Sequence, residues 1–420
     1  MSASTPEFRW RSIALPALLP TLLFSIGEGA IIPIIPVVAG NLGATLAIAG
    51  LVAAILMIGE LVGDIPSGWL VSRIGERPAM IGASFLSVIG LVICVLAPNP
   101  LALGFGIFFI GLSTAVFALA RHAFMTSFVP ISHRARALST LGGIFRAGAF
   151  IGPFITAAAI SLSGLAASAF WIHIVACLAA ATILILLPDP TKSFGTVRTV
   201  RGDDGKQLRE GEALVADESK GLFRTIHDNR GVLGKLGTGA ALIGAMRASR
   251  AVILPLWAVS IGLDEAHTAI IIGIAGAIDF ALFYTSGQIM DRWGRLASAL
   301  PSMLGLGIGH IVLSFTHDVT ANVSWFVFAA MFMSLANGLG SGILMTLGAD
   351  LADKQNPAPF LGAWRFTGSL GSAGAPLLVS ALTAAVSLSL AAGVLGVLGL
   401  VGAGILVRYV PRYVPRAKRD

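Results

Sequence analysis

The chain has 420 residues, 56% of them hydrophobic and 12% charged, with a mean hydropathy of +0.87 and a formal net charge of +7. So apolar a chain cannot keep a soluble surface wet, which excludes an ordinary globular enzyme and places it in a lipid bilayer. The basic surplus would suggest nucleic acid in a soluble protein, but membrane orientation accounts for it here and no nucleic-acid partner is expected.

Apolar runs of about 20 residues, the length that crosses a ~30 Å hydrocarbon core, occur twelve times. They fall near 11–40, 46–72, 77–97, 101–128, 136–162, 167–188, 232–261, 267–290, 296–316, 322–351, 358–383 and 387–410. The first is long and lacks a small-residue cleavage site, so it is expected to be a retained span and not a signal peptide. Arg9, Arg11, Arg73, Arg77, Arg134, Arg136, the 189–231 segment, Arg292, Arg295, Lys354 and the 408–419 tail all fall on one side, while the opposite connections carry no Lys or Arg. By the positive-inside rule both termini are cytoplasmic. The expected organisation is a six-helix bundle over 1–188, a polar cytoplasmic linker over 189–231, a second six-helix bundle over 232–410 and a basic tail over 411–420. Within the solvated linker, 221–228 has the pattern of a short amphipathic helix lying on the membrane surface. Cys94 and Cys177 sit inside apolar runs, read as small core residues, and imply neither a disulfide nor a metal site.

One charged phrase occurs twice. Gly68-Trp-Leu-Val-Ser72-Arg73-Ile-Gly75-Glu76-Arg77 returns as Gly287-Gln-Ile289-Met-Asp291-Arg292-Trp-Gly294-Arg295, at a constant offset of 219 residues. The same offset carries Glu60 onto Asp279, Arg146 onto Arg365, Glu28 onto Arg247, and Pro36, Gly43, Gly143 and Gly152 onto Pro255, Gly262, Gly362 and Gly371. The chain is an internal repeat.

With these residues the chain resembles a major facilitator superfamily transporter, most closely the twelve-helix drug:proton antiporters. The resemblance covers nearly the whole chain. The family phrase between helices 2 and 3 runs Gly-x-Leu-x-Asp-Arg-x-Gly-Arg; the second copy here matches it, and the first departs with Ser72 for Asp and Glu76 for Arg. Gly148-Ala-Phe-Ile-Gly152-Pro153 matches an antiporter signature of the fifth helix, although small residues four apart also serve plain helix packing. An Arg early in helix 4 is missing, and Arg121 comes later. The resemblance implies an all-α fold of two pseudo-symmetric six-helix bundles. Helix 2 would pack on helix 11, helix 5 on helix 8, and helices 1, 4, 7 and 10 would line a central cavity.

Ionisable side chains inside the spans carry the mechanism, because each costs about 2.5–3.5 kcal/mol near the bilayer centre on the lenient scale and needs a partner, a wet cavity or a proton. Glu28, Glu60, Asp64 and Asp279 are the proton-coupling candidates, Glu28 first. Arg146, Arg247 and Arg365 are expected to pair with them: Arg365 with Glu60 or Asp64, Arg146 with Asp279, and Arg247 with Glu28 across the pseudo-twofold axis. The cavity candidates on the implied helices are Phe24, Thr114, Phe117, Arg121, Arg250, Trp257, Met333 and Asn337. Gly68 and Gly287 would allow close helix packing at the cytoplasmic gate, with Asp291 and Arg292 latching it.

No phosphate loop, zinc-type histidine pair or nucleophile elbow is present in the sequence, so neither an enzyme nor a cofactor is expected, and the energy source would be an ion gradient. The resulting expectation is a monomeric inner-membrane exporter of amphipathic small molecules driven by protons. A proton-coupled metabolite uptake symporter is the alternative, and a lipid flippase or a transporter-like sensor represents a different class.

Overall fold

The computed structural model describes residues 14–187, 199–201, 207–219, 221–353 and 357–414. Arg9, Arg11, Lys354 and the 415–420 end of the tail lie outside them. The helices are α1 (Leu19–Ile31), α2 (Ile35–Asn41), α3 (Leu46–Ile74), α4 (Glu76–Val95), α5 (Pro100–Phe128), α6 (Ile131–Ser163) and α7 (Ser168–Leu186). A linker follows, with strands β1 (Thr199–Arg201) and β2 (Gln207–Arg209) and helices α8 (Glu210–Ser219) and α9 (Leu222–Asp228). The second series is α10 (Thr238–Ser260), α11 (Glu265–Trp293), α12 (Arg295–Phe315), α13 (Asn322–Leu339), α14 (Ile343–Leu351), α15 (Ala358–Ala385) and α16 (Leu388–Tyr413). Among the described residues eleven helices are long and apolar enough to cross a membrane, and the bent pair α1–α2 makes a twelfth. Apolar side chains left outside, among them Leu101, Phe105, Trp171, Leu186 and Phe328, give the bundle its lipid-facing surface.

The repeat is visible in the backbone. Helices α3 and α11 have 29 residues each and begin and end at equivalent positions. Thr45 caps the first by accepting from the Ile48 N–H, and Asp264 caps the second by accepting from the His267 N–H. Both stop at a glycine in a conformation that side chains resist, Gly75 at φ +89° and Gly294 at φ +91°. The Gly148/Gly152 stretch packs α6 directly onto α1: a Cβ at Gly152 would lie 2.3 Å from the Ile26 carbonyl oxygen. Its repeat equivalent Gly371 does the same for α15 on α10, with a Cβ 1.9 Å from the Ala241 carbonyl oxygen.

Three features depart from expectation. The first span is bent by 43° between α1 and α2, where Pro33 and Pro36 remove backbone donors. The tenth, expected to be continuous, breaks between α13 and α14 over Gly340–Gly342, with Gly342 at φ +80°. The linker, expected to be merely solvated, folds β1 antiparallel to β2, with Val200 opposite Leu208, and then sends α8 into the bundle. The amphipathic piece forms α9, with Phe223 exposed.

The halves meet along two seams. On the α3–α15 seam Ser380 donates to the Ala47 carbonyl at 2.7 Å and Ser369 to Asp64 Oδ2 at 2.9 Å. On the α6–α11 seam the contacts are aromatic: Phe154 covers Gly273, and the Phe150 and Phe280 rings lie 5.2 Å apart.

Candidate functional site

Glu28 is placed at the centre of the first half because Gly27 and Gly29 let α1 sink between α7 and α6, where any Cβ would strike His173 and Ala149. The side chain is 6% exposed, and its Oε2 has no hydrogen-bond partner among the described residues. The charges it feels come from Arg121 on α5 and from Glu60 on α3. Glu60 in turn feels Asp64 one helical turn further along. Three carboxylates thus form a ladder from the middle of the first half toward the linker, with Arg121 beside Glu28 and Arg365 of α15 near Asp64. Arg121 is 7% exposed and lies over the Phe145 ring, 4.4 Å from its centroid.

The second cluster straddles the halves. Arg250 Nη2 pairs with Asp279 Oδ2 at 3.3 Å while its Nη1 donates to Ser334 Oγ at 2.5 Å. Asn337 Nδ2 donates to the same Asp279 oxygen at 2.6 Å. Arg247 Nη2 donates at 2.5 Å to the Gly340 carbonyl, which lies at the break between α13 and α14 and also accepts from the Ile343 N–H at 3.2 Å. Arg146 reaches across from α6 to lie 4.8 Å from the Phe283 ring centroid.

The expected ion pairs are therefore corrected. Asp279 pairs with Arg250 and not with Arg146; Glu28 has Arg121 as its neighbouring cation and not Arg247. Arg365 Nη1 pairs with Glu218 Oε2 of the linker helix at 2.6 Å, while Asp64 takes its hydrogen bond from Ser369. The physical reason is in the repeat: the position equivalent to Asp64 is Phe283, so Arg146 meets a π face where Arg365 meets carboxylates.

Of the cavity candidates, Arg250 and Asn337 converge on Asp279, and Arg121 is beside Glu28. The others are packed. Phe24 and Phe117 stack at 4.2 Å, both 1% exposed. Trp257 is fully buried against the edge of His317, and Met333 fills the space over Gly309. Thr114 is buried, with its Oγ1 unpartnered.

The gate motif is also redrawn. Gly68 is buried on α3, but a Cβ at Gly287 would meet nothing within 4 Å, so that glycine mediates no close packing. Asp291 takes a 3.4 Å contact from Arg295, which binds Asp350 with two donors at 2.7 and 3.2 Å. Arg292 lies over Trp293 and Arg73 over Trp69. In the first copy, Arg77 donates to the Leu184, Ile185 and Leu187 carbonyls, closing the end of α7.

Sequence reasoning missed the linker clasp, although Glu76, standing where the family pattern has Arg, marked it. Glu76 is fully buried, accepting from Ser127 Oγ and from Arg209 Nη1, each at 2.5 Å. Arg134 grips Glu210 with two donors at 3.1 and 3.0 Å. The α8 backbone touches both halves: a Cβ at Gly211 would lie 2.0 Å from the Ala123 carbonyl oxygen, and one at Gly362 would lie 2.2 Å from that of Glu218. Behind the clasp a cavity of about 250 Å³ is lined by Asp64, Glu218, Arg224 and Arg365 among others.

The clasp has a pH dependence. Burial, and next the Glu76 carboxylate beside it, push Glu212 up to about 7, against the opposing hydrogen bond and charge of Arg209. Docking thus favours the protonated form. Its contribution is complete below the ordinary carboxylate value near 4.5 and is lost as pH rises through about 7. Hydrogen exchange of α8, corrected for intrinsic rates, is expected to rise between pH 5.5 and 8 in the wild type and to stay level in Glu212→Gln; parallel profiles would refute the assignment.

Two helical halves related by a repeat, with charges buried between them and no soluble domain among the described residues, define a membrane carrier. The Major Facilitator Superfamily model matches residues 17–372 and again 236–420, and the chain belongs to that superfamily. It is 22% identical over 391 residues to a putative metabolite transport protein of Bacillus subtilis (strain 168), covering 80% of this chain and 82% of that one. It is 23% identical over 322 residues to the galactose-proton symporter of Escherichia coli (strain K12), covering 71% and 68%. A shorter match, 28% identical over 114 residues, to probable inositol transporter 2 of Arabidopsis thaliana covers 27% of this chain and 20% of that relative. Among solved structures, a POT family transporter in complex with a thioalcohol conjugated peptide superposes with a TM-score of 0.76 at 14% identity, covering 96% and 97%. The E. coli xylose transporter, in a partially occluded inward open conformation, gives 0.72 at 16%, covering 98% and 99%. These relatives are named for metabolites and sugars, so the drug:proton antiporter subtype is not supported. The Gly148–Pro153 stretch is accounted for by the packing of α6 on α1.

Proposed function

We propose that the protein is a proton-coupled symporter that takes up a small metabolite by alternating access. The observation that carries this is Glu28, a central, nearly fully buried carboxylate with an unpartnered oxygen and a single neighbouring arginine. Such a group is poised to exchange a proton when its surroundings change from dry to wet. Glu60 and Asp64 continue the acidic line toward the cavity behind α8, a route for protons to the linker side. The metabolite and galactose-proton names of the relatives support uptake over efflux. Rocking of the halves would require α8 to leave either α5 or α15, so the clasp belongs to the gate.

The test is accumulation in liposomes containing the purified protein, with an imposed pH gradient and a panel of labelled sugars, polyols and organic acids. Substrate-dependent proton influx with uphill accumulation of one class is expected. Accumulation that persists unchanged after the pH gradient and membrane potential are collapsed would overturn proton coupling, and gradient collapse by lipophilic drugs alone would overturn uptake.

A further inference from the structure

We infer that the transported metabolite carries an oxyanion, a carboxylate or a phosphate, and that it is held by Arg146, Arg247 and Arg250; the inference rests on the symporter reading above. The charges between the halves are sorted and not mixed. The ladder on the α1–α3 side has three carboxylates, Glu28, Glu60 and Asp64, against Arg121 and, at its Asp64 end, Arg365, which is itself paired with Glu218. The cluster on the α6–α10–α11 side has three arginines and one carboxylate, Asp279, and these four feel one another's charge.

Asp279 carries one charge against three. Its Oδ2 holds both Arg250 and Asn337 and its Oδ1 has no partner among the described residues, so a single carboxylate cannot neutralise Arg146 and Arg247 as well. Among the described residues Arg146 forms no ion pair and rests on the Phe283 face, and Arg247 is held only through the Gly340 carbonyl. Buried donors remain unused: Nε of Arg247 and Nε of Arg250 have no partner. Protonation relieves the acidic ladder of its surplus charge, because carboxylates can become neutral. Arginine has no such escape, so its surplus at this depth calls for an anion. Guanidinium groups suit oxyanions in particular, since their donors are spaced to bind two oxygens at once. A neutral sugar would leave two partly buried positive charges unmatched.

Arg146 comes from one half and Arg247 and Arg250 from the other, so an anion bound to all three would draw the halves together on the α6–α11 seam. Substrate and proton then act on different clusters. The proton neutralises the acidic side while the anion neutralises the basic side, and the fully loaded carrier is the one with least buried charge.

The test is equilibrium binding to the detergent-solubilised full chain with no gradient, followed by thermal shift at constant ionic strength. The probes are succinate and gluconate for carboxylates, glucose 6-phosphate and glycerol 3-phosphate for phosphates, galactose and glycerol as neutral counterparts, and chloride as the salt control. Saturable stabilisation by a carboxylate or a phosphate ester and not by chloride or the neutral probes is expected, and the two anionic arms distinguish the headgroup. Arg247→Gln, and the double variant Arg250→Gln/Asp279→Asn that removes a whole ion pair, should each weaken the anion about tenfold or more. Arg247→Lys should retain part of it. Saturable binding of galactose or glycerol that survives Arg247→Gln would overturn the inference while leaving proton symport intact. Anion binding lost in the variants, without proton-driven accumulation in liposomes, would uphold the inference and overturn the symporter reading.

Discussion

Glu28→Gln is expected to cut proton-driven accumulation by about 100-fold or more, the scale of effect seen when a positioned proton-transfer group is removed, while leaving the protein folded. Glutamine fills the same volume, and the Oε2 position it replaces has no hydrogen-bond partner among the described residues to lose. Arg121 loses its nearest opposing charge but keeps the Phe145 face. The variant should therefore still bind substrate and exchange it across the membrane without net proton movement. The measurement is paired: pyranine-reported proton influx and uphill uptake on one side, substrate counterflow at equal pH on the other. Loss of the first with the second retained identifies Glu28 as the coupling group. Wild-type accumulation in this variant would move the role to Glu60 or Asp64, whose glutamine and asparagine variants are the next to test.

Gly152→Val and Gly371→Val are expected to be the most damaging single substitutions for folding. At these repeat-related sites a Cβ would lie 2.3 and 1.9 Å from a neighbouring helix carbonyl, and backbone, unlike a flexible side chain, cannot step aside. Forcing the helices apart removes packing along a whole interface, at a cost of about 3 kcal/mol or more. Gly374→Ala is the control, since a Cβ there meets nothing within 4 Å and alanine favours the helix. Thermal unfolding in detergent should show large losses for the first two and no loss for the control. Equal behaviour of Gly152→Val and Gly374→Ala would show that α6 does not sit on α1 as described.

Much of the architecture was legible in residues that act locally. Span positions follow from runs of apolar side chains long enough to cross a bilayer. The repeat follows from equally spaced Gly75 and Gly294, which end equivalent helices by a backbone conformation that glycine alone adopts readily. Glu28, Asp279 and the arginines were recognisable as significant because an ionisable group in a bilayer is never casual. Their partners were not. The offset of 219 residues suggested that Arg146 and Arg365 have equivalent surroundings, yet the repeat substitutes Phe283 for Asp64, and Glu218 arrives from a linker that carries no apolar periodicity.

The sequence by itself thus determined the class, the helices, the symmetry and which charges must be satisfied, since hydrophobic length and glycine geometry are properties of short stretches of chain. Tertiary structure alone decided which charge satisfies which. Ion pairing falls off over a few ångströms and depends on side chains brought together from helices far apart in the chain. A polar segment such as 207–219 declares its helix only when Glu210, Glu212 and Glu218 find arginines to bind. The same holds for the break at Gly340, whose carbonyl acquires meaning only from Arg247 beside it.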